Sequence, residues 1–200
     1  ASGCVIVSGG ALGMDAAAHR GALAAQGLTV VILPGGFGHL SPSRHRALFE
    51  QVVERGGVLL TEYPHEVAPR RYHFPRRNRL IAATCQACVV LRARGGSGTM
   101  LTVDACKSLG RPLSALPYDA SDQGARGSLE LIQRGVATLV VDASDVAEHA
   151  FGDVPPVVES PLETASGDGE DPVLALLSDA PRGTMDVDAI CTKLGERTSA

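Results

Sequence analysis

The sequence predicts an α/β domain: a doubly wound, mainly parallel sheet with helices on both faces. Two observations carry this. Short apolar runs rich in β-branched residues alternate with stretches of helical length, and the runs are hydrophobic at successive rather than alternate positions. Strands that are apolar on both sides belong in a sheet covered on both faces, and parallel strands need helical crossovers between them.

The first run, CVIVS (4–8), ends at Gly9 and Gly10 and leads into a helix over 14–26. LTVVIL (28–33) is followed by PGGFGHLSP and a helix over roughly 42–55. GVLLT (57–61) precedes an arginine-rich loop bracketed by Pro69 and Pro75, and then a helix over 77–84. ACVVLR (87–92) runs through a second glycine loop into a helix over 99–109. PLSAL (112–116), a helix over 126–134 and ATLVV (137–141) complete a Rossmann-like domain spanning 1–150. Residues 151–171 are rich in Pro, Gly, Ser and acids without periodicity, which predicts a flexible linker. Residues 172–200 carry two short helical patterns.

In 200 residues that are 44% hydrophobic and 20% charged, with no apolar run near the length of a membrane span and no signal-peptide layout, the sequence predicts a cytoplasmic protein with no membrane partner. The five cysteines are scattered and sit mostly in apolar stretches, so they predict reduced core thiols. Cys85 and Cys88 form a CxxC, but a single CxxC running into apolar VVL lacks a second ligand pair, and no metal is expected. His39 and His45 have no metal-ligand partners at helical spacing and are expected as exposed loop histidines.

A net charge of −4 conceals a strong local asymmetry. No acid falls between Glu66 and Asp104, where Arg70, Arg71, Arg76, Arg77, Arg79, Arg92 and Arg94 all lie; beyond Val141 only Arg182, Lys193 and Arg197 oppose many acids. Screening over about 8 Å in cell-like salt lets such a local field persist. Arginines at a helix N-terminus oppose the helix dipole, so the cluster predicts a resident anion. Two further loops could present backbone amides to phosphate: SGGALGMD (8–15), which is no P-loop because GK[ST] is missing, and RGGSGT (94–99). Two such helix starts flanked by arginine, with Phe74 or Tyr72 between them as a stacking surface, fit a polyanion with bases: single-stranded DNA or RNA.

VSGGALGMDAAAHRGAL, LLTEYP, HFPRRNRLIA, SGTMLTVDACKSLGRPLSALP and ARGSLELIQRGV stand in an order and spacing that resemble the DNA-processing protein A (DprA/Smf) family over residues 4 to about 141. The resemblance implies a homodimer that binds single-stranded DNA and helps load a RecA-type recombinase in natural transformation, with no cofactor and no catalytic residue. It places Arg71, Phe74, Arg76, Arg77, Asn78 and Arg79 in the DNA-contacting segment, with loop amides from Gly9, Gly10, Ser97, Gly98 and Thr99. The family often has a basic residue where Gly96 stands, and Arg94 is expected to substitute; Leu12 replaces another basic residue. The family's opening strand and its Gly-Ser-Arg loop would lie before Ala1, and 172–200 resembles the start of a winged-helix domain.

The alternative is an enzyme similar to nucleoside-monophosphate phosphoribohydrolases, whose PGGxGTxxE loop is approached by RGGSGTMLT. Thr102 stands where that loop carries its glutamate, and glycosidic cleavage needs a carboxylate to stabilise charge or activate water.

Overall fold

The computed structural model describes residues 3–152. Six parallel strands alternate with helices as predicted: β1 (Ile6–Ser8), α1 (Met14–Ala24), β2 (Thr29–Ile32), α2 (Arg46–Glu54), β3 (Val58–Leu60), α3 (His73–Thr84), β4 (Cys88–Val90), α4 (Gly98–Ser108), β5 (Leu113–Ala115), α5 (Arg126–Gln133), β6 (Thr138–Leu139) and α6 (Ala143–Phe151). The expected single sheet is divided. Parallel ladders join β1-β2-β3 and β4-β5-β6 as two three-stranded sheets, and among the described residues no ladder links them. Packing of α3 on α4 joins the halves, with α3 also touching β1 and β2.

Each half has its own core. Val31, Leu33, Phe49 and Val52 form one beneath α1 and α2; Ala82, Val90, Val103, Cys106, Leu113, Ala115 and Leu131 are prominent in the other. Branched aliphatics and alanine fill both, with Phe49 as the largest fully buried side chain. The register puts Val7, Val30 and Val58 side by side on the face of the first sheet opposite Val31 and Leu59, and that face is only partly covered.

Three expectations change. The third helix starts at His73, four residues early, because Pro75 falls in the first turn, where a missing N–H breaks no helical bond. Helix α6 was not predicted, although Asp142 signals it: its carboxylate accepts from the N–H groups of Ser144 and Asp145 as an N-cap. His45 is buried rather than exposed, its Nδ1 2.8 Å from the Gly10 carbonyl, while His39 is exposed as expected. All but the first two residues of the predicted linker, the whole of the predicted 172–200 segment and Cys191 lie outside the described residues.

The described CxxC is core, as predicted. Cys85 and Cys88 pack against buried Cys106. The hydrogen bond to Cys106, then burial, push the Cys85 thiol far up; Cys106 is pushed up to about 12, its bond with Cys85 lowering it but the bond with Cys88 and burial outweighing that. The Cys85 and Cys106 thiols stay protonated at neutral pH. Among the described residues no helix is long and apolar enough to cross a membrane.

His19 ties α1 to the sheet. The Thr29 hydroxyl donates to the Ile6 carbonyl at 2.7 Å, so its oxygen accepts from His19 Nδ1 at 2.7 Å. The Nε2 atom is left buried with no partner. Burial lowers the pKa of His19 below its ordinary 6.5, with Asp15 opposing and His45 reinforcing the shift. Below pH 6.5 the unfolded chain therefore binds a proton that the folded one refuses, so this part of the stability is present above 6.5 and is lost as pH falls toward the folded value. Thermal unfolding followed from pH 7.5 to 5 should show a falling midpoint, with a shallower fall in His19→Gln.

Candidate nucleic-acid interface

The loops after β1, β2, β3 and β4 lie beyond the carboxyl ends of parallel strands, where such sheets bind ligands. The first of them does not offer its amides. Asp15, in the first turn of α1, turns back so that its Oδ2 accepts from the N–H of Gly9 at 3.2 Å and of Ala11 at 3.1 Å. The carboxylate occupies the place a phosphate would take at this helix start. Gly10 closes the turn at φ 68°, its Cα so near Phe49 and Val31 that a Cβ would meet them at 2.8 Å.

Arg77 belongs to the same construction. It is 4% exposed, and its Nη1 donates to the carbonyls of Gly9, at 2.6 Å, and of Ile32. A Cβ on Gly9 would come within 2.5 Å of the guanidinium carbon, so glycine is required for close approach. Burial lowers the Arg77 pKa and Asp15 raises it in part, the group remaining charged.

The arginine segment is thus partitioned by helix geometry. With Arg77 inward, Phe74 and Asn78 fall about 40° apart on one flank of α3, and Arg76 and Arg79 about 60° apart on the other. The Asn78 amide donates to the Gly98 carbonyl at 3.1 Å, so its flank meets the start of α4. Phe74 is 37% exposed, and the Arg77 guanidinium lies 5.9 Å from its ring. Arg79 is held by Glu62, and Arg92 by Asp122 at 2.8 Å. Arg70, Arg71, Arg76 and Arg94 are exposed and have no carboxylate partner among the described residues.

At the start of α4 the arrangement is the reverse of that at α1. No acid stands in the first turn, and the N-cap Ser97 makes no side-chain cap; its Oγ is buried without a partner. The N–H groups of Gly98 and Thr99 are among those an α-helix leaves without an internal acceptor. Gly96, at φ 69°, with open space around its Cα, turns the chain into the helix, and Arg94 stands exposed before it. The amides and Arg94 together can bind a phosphate group.

The family model for DNA recombination-mediator protein A matches residues 1–151. The chain belongs to this family. The putative DNA processing protein DprA of Mycobacterium tuberculosis is 43% identical over 143 residues, which are 72% of this chain and 36% of that protein. The crystal structure of DNA processing protein A from Streptococcus pneumoniae superposes with a TM-score of 0.69 at 35% identity, covering 75% of this chain and 53% of that one. A Helicobacter pylori DNA processing protein A, whose structure is described for its single-stranded DNA binding mode, gives a TM-score of 0.65 at 28% identity over 71% of this chain and 63% of that one. The chain therefore spans about a third to two thirds of the length of these relatives.

Of the residues predicted for the DNA site, the structure brings Asn78 to the start of α4, where Ser97, Gly98 and Thr99 lie with Arg94 on the loop before them, and Phe74 stands a turn earlier on the same flank of α3. Arg71 and Arg76 are exposed at the start of α3. Gly9 and Arg77 are engaged inside the fold, the Gly9 N–H by Asp15 and the Arg77 Nη1 by the carbonyls of Gly9 and Ile32, and Gly10 is buried with its carbonyl 2.8 Å from His45 Nδ1. The sequence reading missed Asp15, Glu62, Asp122 and Glu130, which flanks Gly95 and pairs with Arg126 at 3.2 Å. Only Asp15 had a visible signal, an acid in a first helical turn after a glycine loop. Removing the Arg77 donors leaves two buried carbonyls unpaired, so Arg77→Met should cost about 2–4 kcal/mol in urea unfolding, whereas Arg76→Ala should stay within about 0.5 kcal/mol.

Proposed function

We propose that this chain grips single-stranded DNA along a track from the exposed start of α3 to the start of α4, as part of a recombination mediator with no catalytic step of its own. The observation that carries the reading is the contrast between two helix starts. The start of α1 is filled by the protein's own Asp15, whereas the start of α4 has no acid in its first turn, an orphan Ser97 hydroxyl and Arg94 beside it. Phosphates bind there and at Arg71 and Arg76, with Arg79 able to exchange Glu62 for phosphate because exposed pairs hold weakly. Phe74 supplies the stacking surface, which is tolerant of base identity.

Family membership supports the wider role: a cytoplasmic homodimer that passes its strand to a RecA-type recombinase. Against the nucleotide-cleaving alternative, Thr102 stands on α4 where a carboxylate is needed.

Binding should tighten with oligo-dT length and weaken steeply with salt. Fluorescence anisotropy on Arg76→Ala combined with Arg94→Ala should show at least a tenfold loss and a salt slope lower by about 1.4, two phosphate contacts at about 0.7 each. Phe74→Ala should lose about 1–3 kcal/mol with its slope unchanged, because stacking releases no counterions.

A further inference from the structure

The hydrogen bonds at the strand ends form one unbroken path between the two glycine loops. Asp15 Oδ2 accepts from the Gly9 N–H, and the Gly9 carbonyl accepts from Arg77 Nη1. Arg77 Nε donates to Asn78 Oδ1 at 3.2 Å, and Asn78 Nδ2 donates to the Gly98 carbonyl. Donation runs outward from the Arg77 guanidinium in both directions, through Gly9 to the carboxylate of Asp15 and through Asn78 to a carbonyl in the first turn of α4.

We infer that Asp15, Arg77 and Asn78 are positioning residues, a relay that sets the start of α4 for phosphate from the loop after β1 without touching DNA. The inference rests on the reading of α4 as the DNA site, and it gives the segment's central arginine and asparagine a different task from its outer arginines. Three features of the relay fit this task. It is anchored, because the Arg77 guanidinium also donates to the Ile32 carbonyl and fills the space where a Cβ on Gly9 would stand. It is charge-balanced, because Asp15 faces Arg77 across the Gly9 peptide and opposes the effect of burial on the guanidinium. It is directional at the far end, because an asparagine held by its oxygen can aim its amide only where that hold allows, here at Gly98, whose N–H stands among the free donors of the helix start.

The same contacts separate a positioning role from a phosphate-binding one. A residue that contacts phosphate changes the salt dependence of binding when it is removed, whereas a residue that only aims the site changes affinity alone. The two ends of the relay are also not independent, so their losses are not additive.

The test uses the whole chain with Asp15→Asn, Asn78→Ala and the double variant, read by oligo-dT anisotropy at three salt concentrations and by the 15N–1H spectra of the DNA-free proteins. Asp15→Asn is expected to weaken binding by about three- to tenfold, a usual size for coupling through a packed network, with the salt slope unchanged. It should also move the Gly98 and Thr99 amide resonances, and the double variant should bind no more weakly than Asn78→Ala. Multiplicative losses, a reduced salt slope in Asp15→Asn, or Gly98 and Thr99 resonances that stay in place would overturn the relay. Should Asp15→Asn fail to fold, Arg77→Lys, which keeps the charge and loses the planar fork, is read against the same outcomes. If the unmodified chain does not bind oligo-dT, the functional reading fails, and the resonances of the DNA-free variants still decide the relay.

Discussion

Gly9 is gripped at both of its backbone polar groups, its N–H by the carboxylate of Asp15 and its carbonyl by the guanidinium of Arg77. A buried cation is costly unless its donors are met and an opposite charge stands near. Here two strand-end carbonyls meet them, and the anion stands one peptide away. Much else follows from this clamp. Gly9 must lack a side chain, α3 must lie over the ends of β1 and β2, and the loop after β1 holds its own anion. The clamp also fixes α3, which packs on α4, to the strand ends of the first of two sheets that no ladder joins among the described residues.

The clamp explains how an acidic chain can carry a basic surface. Of the seven arginines between Glu66 and Asp104, one is internal and two meet carboxylates that come from distant loops, Glu62 and Asp122. Arg70, Arg71, Arg76 and Arg94 are left exposed on elements that the clamp and the Asn78 amide hold together. Exposed pairs such as Arg79–Glu62 contribute little to stability and exchange readily. The cations left unpaired, rather than the net charge, decide what such a surface attracts, because screening confines each field to its neighbourhood.

The α/β class, the parallel strands and five of the six helices were legible because both signals are local: β-branched apolar runs for strands and helical spacing between them. The start of α3 was misplaced because proline reads as a break, although the first turn of a helix tolerates it. The split of the sheet could not be read, since nothing local in β1 or β4 reports which neighbour pairs with its edge. The start of α4 was legible from RGGSGT, a glycine loop opening a helix with a flanking arginine. The inward turn of Arg77 was not, because a run of arginines looks alike in sequence, and only the carbonyls of Gly9 and Ile32, 68 and 45 residues away, distinguish the buried one. The first glycine loop misled for the same reason: its geometry suits an anion, and the anion it holds is its own.

The most direct measurement is a 15N–1H titration of the whole chain with oligo-dT, followed residue by residue. If the α4 start is the phosphate site and Asp15 closes the other, the amide resonances of Gly98 and Thr99 shift at the lowest DNA concentrations, while those of Gly9 and Ala11 move little. Early, large shifts at Gly9 and Ala11 with Gly98 and Thr99 unmoved would contradict the account.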